Sequence, residues 1–203
     1  HKSKSKAKGM ETITTHIYGR NAHDIYTVLW GDEESVTVDN GSYEAISSKL
    51  SDVVIPNDVI VGVLDGIEKA SGIELTKEER LNLVKSNIIR LIGQYDTSKA
   101  VNSFVLDGKE MWLPKDTRVG LRNSVSVEKD AGRTETTLWY GGASYVVPID
   151  MALALLSRLE LYALTCYNVT ESHKASVMAM DNVEDVTAYD YKTGYPDKMV
   201  VSL

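Results

Sequence analysis

The chain has 203 residues, 43% hydrophobic and 25% charged, and carries a formal net charge of −7. That length holds one sizeable domain, or a domain with a small appendage, and the acidic balance argues against a general nucleic-acid binder, whose phosphate contacts need clustered Lys and Arg. A single cysteine, Cys166, excludes an intramolecular disulfide and a cysteine-based zinc or iron–sulfur site, and no apolar run approaches the length of a bilayer span.

Residues 1–9 are low-complexity and basic, and Met10 follows as a natural start; they read as an expression-tag remnant. Removing their four lysines moves the formal charge from −7 to −11. With no secretory leader in view, the expected site of synthesis is the cytoplasm. Residues 10–75 read as a small α+β region. Thr12–Tyr18, Ile25–Trp30 and Ser35–Val38 are β-prone runs, the last closed by the turn signal Asp39-Asn40-Gly41. Asp58–Ala70 predicts a short helix that stops at Gly72.

Residues 76–203 read as a second α+β domain. Thr76 and Glu79 form a capping box, in which the hydroxyl accepts from the amide three residues on and the carboxylate reaches back. Leu81, Val84, Ile88, Leu91, Ile92 and Tyr95 then recur at helical spacing, which predicts a helix over 77–95. Asp107-Gly108 and Gly141-Gly142 lie between apolar runs and predict tight hairpins over 102–113 and 135–147. Between them, Pro114 ends one strand and Asp116 is the expected N-cap of a helix over 117–127. Pro148 closes the second hairpin and Asp150 caps a helix over 150–167 with almost no polar face. Such a helix is central or lies at a subunit interface, with Met151, Leu155, Leu159 and Tyr162 as interface candidates. Further helices are expected over 171–180 and from Asn182, then the Gly194-Tyr195-Pro196 turn and a strand over 198–203. Hairpins mixed with helices make the fold class α+β, with antiparallel pairing.

Chemistry is sparsely signalled. Phosphate-loop, dinucleotide, nucleophile-elbow and H-E-x-x-H motifs are all missing, so no catalytic residue, metal site or cofactor is assigned. His16 and His23 read as surface histidines, and His173 as locally hydrogen-bonded near a helix start. Asp32-Glu33-Glu34, Glu184-Asp185 and Asp190 read as solvated faces ahead of a glycosidase pair. Tyrosine outnumbers phenylalanine eleven to one, which suits half-buried positions and interfaces. Trp112 and Trp139 each sit on a hairpin strand. They read first as core; in the alternative they form, with Arg118, Tyr140, His173, Tyr191 and Tyr195, an aromatic platform for a small ligand or glycan.

The run from Tyr95 to Phe104, then Met111-Trp112-Leu113 with Arg118, Leu138-Trp139, Leu159-Glu160-Leu161-Tyr162-Ala163, Thr170 with His173, and Tyr189-Asp190-Tyr191 with Gly194-Tyr195-Pro196 resemble a domain of unknown function found in bacteriophage and prophage proteins. The resemblance covers about residues 80–203. It implies no activity and transfers no catalytic residue; it implies a setting near phage tail or tail-fibre modules. The expectation is therefore a non-enzymatic structural or assembly protein. It would act as a homo-oligomer or with other phage proteins, be made in the bacterial cytoplasm and join a virion. A ligand-binding module and an enzyme of unknown class stand as alternatives. Membrane insertion and nucleic-acid binding are not expected.

Overall fold

The computed structural model describes residues 42–202, so the expected strands and turn before Ser42, and His1, His16 and His23, lie outside the described residues. The fold is α+β: helices with small sheets of three and two strands. The described residues gather into two compact units, one of 42–94 with Ser172–Lys192, the other of Tyr95–Glu171 with Thr193–Leu203. This grouping is not sequential, unlike the division at 75/76 expected from composition.

In the first unit, α1 (Tyr43–Leu50) begins where the Ser42 hydroxyl accepts from the Ala45 N–H at 3.1 Å. α2 (Ile60–Ser71) stops at Gly72, whose φ of +76° is open to glycine at little cost. α3 (Lys77–Asp96) starts on the expected capping box: the Glu79 N–H donates to Thr76 Oγ1 at 3.1 Å, and the Thr76 N–H donates to Glu79 Oε1 at 2.9 Å. Its stripe of Val84, Ile88 and Ile92 packs with Ile46, Leu64 and Val177 into a fully buried core. Near the chain end Asn182 caps α7 (Val183–Ala188), its side chain accepting from the Asp185 N–H at 2.8 Å.

The second unit opens with a short helix that the sequence reading did not resolve, α4 (Lys99–Asn102). β1 (Phe104–Leu106) and β2 (Lys109–Met111) then pair antiparallel across Asp107 and Gly108, both at positive φ, the turn matched to strand twist. α5 (Lys115–Asp130) starts two residues earlier than expected: Pro114 occupies the N-cap position, and Asp116 lies inside the first turn, accepting from the Thr117 N–H. β3 (Glu135–Tyr140) and β4 (Ala143–Pro148) form a six-residue antiparallel ladder across Gly141 and Gly142. β5 (Val200–Val201) pairs parallel with β1, so the sheet order is β2-β1-β5 and the pairing is not all antiparallel.

α6 (Ile149–Met178) is one continuous helix of 30 residues where two were expected. Residues 168–170, left between the two expected helices, stay helical, and within them Thr170 is buried with its hydroxyl bonded to Asp96; tertiary packing can override weak local preference. α6 also corrects the interface reading. Leu155 and Leu159 are only 8% and 4% exposed and belong to the core with Phe104, Met111 and Val147. Tyr162 is half-buried and Met151 exposed. The large side chains that α6 leaves uncovered farther along are Leu161, Leu164, Tyr167 and, at its end, Met178.

Candidate functional site

Within the second unit, the segment between β2 and α5 is short and extended. It brings Trp112 and Pro114 over one end of α5 and places Arg118 one turn inside that helix, its N–H donating to the Pro114 carbonyl at 2.9 Å. α6 runs alongside with Glu160 and Tyr167, and the end of α3 supplies Asp96. Between them lies a cleft of about 580 Å³, walled by Trp112, Pro114 and Tyr167 and bearing Arg118, Glu160 and Asp96. That volume is in the range of small-molecule sites.

Arg118 Nη1 stands 3.0 Å from Glu160 Oε1, with side chains 12% and 38% exposed. Neither Arg118 Nε nor Glu160 Oε1 makes a hydrogen bond, and both atoms are buried. The pair is thus close in charge but poorly directed as a hydrogen bond. Asp96 is better held. The Thr170 hydroxyl donates to Asp96 Oδ1 at 2.8 Å and lies 2.7 Å from the Tyr195 hydroxyl, while Asn102 Nδ2 donates to the Asp96 carbonyl. Tyr95 and Tyr195 pack edge to face, ring centroids 5.4 Å apart.

Cys166 also lines the cleft, but burial pushes its thiol above the usual range. It stays protonated near neutral pH and is a weak nucleophile. Burial likewise pushes the Tyr162 phenol up to about 12, with Cys166 close by, and raises that of Tyr195.

Of the residues proposed as one aromatic platform, the cleft gathers Trp112 and Arg118. Trp139 is 70% exposed on the outer face of its hairpin, so the core reading of that residue is corrected. Trp112, 37% exposed, is not core either. Tyr140 points the other way from Trp139 and does not line the cleft, but its hydroxyl accepts a hydrogen bond from the Trp112 N–H at 3.2 Å. Tyr195 acts through Thr170. His173 and Tyr191 belong to the first unit. His173 is buried mid-helix, not near a helix start, with Nδ1 2.5 Å from the Tyr189 hydroxyl; Tyr191 packs partly buried against that unit's core. An apolar cavity of about 50 Å³ among Phe104, Leu121, Leu138 and Leu156 is a gap in the second unit's core.

Glu160, Asp96 and Tyr167 were not singled out as site residues from the sequence. A signal existed for Glu160: a carboxylate inside the apolar Met151–Tyr167 run needs a partner. Among the described residues no group of three or more His, Cys, Asp or Glu side chains is placed to hold a metal ion, and no helix is long and apolar enough to cross a membrane. No protein-family model matches the chain, and no curated protein or solved structure matches it.

Proposed function

We propose that the cleft is a binding site and that the protein acts through it as a small-ligand-binding module. The Arg118–Glu160 pair carries this reading. A largely buried guanidinium sits beside an open cavity against a carboxylate that is only partly in solvent, with Arg118 Nε and Glu160 Oε1 both buried and without a hydrogen bond. Apolar side chains of similar size would serve stability as well or better, so the pair is better accounted for by a ligand. The segments on which the phage and prophage resemblance rests also meet here: Asp96, Asn102, Trp112, Arg118, Glu160 and Ala163 all line the cleft. The test is ligand-observed NMR of the full chain against a mixed metabolite library. Hits lost in a folded Trp112→Ala variant support the reading; an empty screen, or hits indifferent to that change, removes it.

A second reading is favoured by Leu161, Leu164 and Tyr167, exposed together along α6. In it the chain is a phage-type structural or assembly protein that self-associates through this face, is made in the bacterial cytoplasm and joins a virion. Burying such a stripe is what homo-oligomers do. Light scattering at several concentrations tests it. A concentration-independent dimer or larger ring that Leu161→Glu dissociates supports it, and a monomer removes it.

A further inference from the structure

We infer that the cleft is built for an uncharged saccharide, an assignment that rests on the ligand-binding reading above. The charged side chains lining it cancel in number, Lys115 and Arg118 against Asp96 and Glu160. An anionic guest would have to compete with Glu160 for Arg118, which Glu160 already holds at 3.0 Å. A cationic guest would likewise have to compete with Arg118 for Glu160. A neutral guest leaves the pair in place.

The groups that remain ask for hydroxyls. An arginine only donates and a carboxylate only accepts, whereas a hydroxyl does both, so neighbouring hydroxyls on one ring can accept from the guanidinium and donate to the acid. Asp96, which also lines the cleft, is held in place, since its Oδ1 accepts from the Thr170 hydroxyl and its carbonyl accepts from Asn102 Nδ2. Binding there orders no loose side chain, which keeps its entropic cost low. The walls supply the other half of a sugar's surface. Trp112 and Tyr167 present partly exposed aromatic rings, the apolar partner that the C–H face of a pyranose ring requires. A flat aromatic guest would also stack on Trp112, but it would cover the charged groups without replacing their water, a costly exchange.

The experiment is a printed array of neutral and charged glycans probed with the full chain, followed by saturation-transfer NMR titration of the hits. Lactose, cellobiose and N,N′-diacetylchitobiose serve as neutral probes, and glucuronic acid and glucosamine as charged ones. At least one neutral saccharide is expected to bind. Its Kd should rise about tenfold or more in Trp112→Ala and in Glu160→Gln, and stay unchanged in Trp139→Ala. Should Trp112→Ala unfold, Trp112→Phe replaces it, with a smaller rise expected. Tighter binding of glucuronic acid or glucosamine than of every neutral sugar overturns the assignment. So does a cleft that takes non-sugar ligands from the metabolite library but no saccharide, and in both cases the ligand-binding reading stands. A cleft that takes nothing overturns both.

Discussion

Asn87 satisfies both backbone groups of Ile55 with one side chain: its Nδ2 donates to the Ile55 carbonyl at 2.7 Å, and its Oδ1 accepts from the Ile55 N–H at 3.0 Å. Both residues are fully buried. Among the described residues no strand pairs with the connection between α1 and α2, and the amide on α3 bonds its backbone as a neighbouring strand would. Arg90, one turn on, does the same for the Val53 carbonyl at 3.0 Å. Replacing Asn87 by Leu strands a buried donor and a buried acceptor, and the expected loss is about 2–5 kcal/mol. An unfolding free energy from urea denaturation lowered by less than about 1 kcal/mol would mean that Ile55 finds other partners.

Trp139 separates what the sequence encodes locally from what it does not. The alternation in β3 puts Thr136, Leu138 and Tyr140 on the packed face and Thr137 and Trp139 on the open one. A register shift of one residue would exchange these faces, and with tryptophan and tyrosine adjacent the sequence does not say which is inside. Trp139→Ala is therefore expected to cost under about 1 kcal/mol, as at surface positions, and not the 3–5 kcal/mol of a core ring. Thermal unfolding of the variant reads the difference.

The elements that were legible share a short range. The Thr76–Glu79 box closes over three residues, and the Asp107-Gly108 and Gly141-Gly142 turns are set by backbone preference at two. The cleft is the opposite case. It joins the end of α3, the approach to α5 and the middle of α6, and nothing local relates Asp96 to Glu160. The burial of Thr170 within α6 was hidden for the same reason, since its hydroxyl meets Asp96, 74 residues away.

Arg118 and Glu160 are expected to be unequal partners. Arg118 is the deeper of the two, and Glu160 keeps part of its side chain in solvent. Glu160→Met leaves a buried guanidinium unpaired, and about 2–3 kcal/mol should be lost. Arg118→Met keeps the apolar stem and lets the carboxylate turn to water, at about 1 kcal/mol. The double variant should recover most of the loss. Equal single effects in a denaturant cycle, or simple additivity, would contradict this.

Alkaline pH should weaken the second unit through Cys166 and Tyr162. Burial raises both groups, so the folded chain keeps protons that the unfolded chain gives up. Their contribution is complete below the ordinary thiol value of 9.0 and declines as pH rises through the raised one. For Tyr162 the decline runs from 10.0 to about 12. Tyr162→Phe removes the second window, so its stability should fall less steeply than the parent's above pH 10.0. Parallel curves from denaturation at stepped pH would show that Tyr162 does not titrate as its burial requires.

Thr170→Val tests how the end of the chain is held. Valine keeps the shape of threonine and removes only the hydroxyl, which donates to Asp96 and meets the Tyr195 phenol. Thr170 is buried, so about 1–3 kcal/mol should be lost as those groups are left short of a partner. The effect should also be local. Tyr195 leads into the segment whose carbonyls receive the Val105 and Asp107 amides, at 2.8 Å from Met199 and 2.9 Å from Val201. Loosening Tyr195 should loosen β5 from β1, and those two amides should exchange with deuterium faster than the β1–β2 hairpin amides. Uniform acceleration throughout the unit would instead assign Thr170 to global stability and leave β5 held by its own ladder.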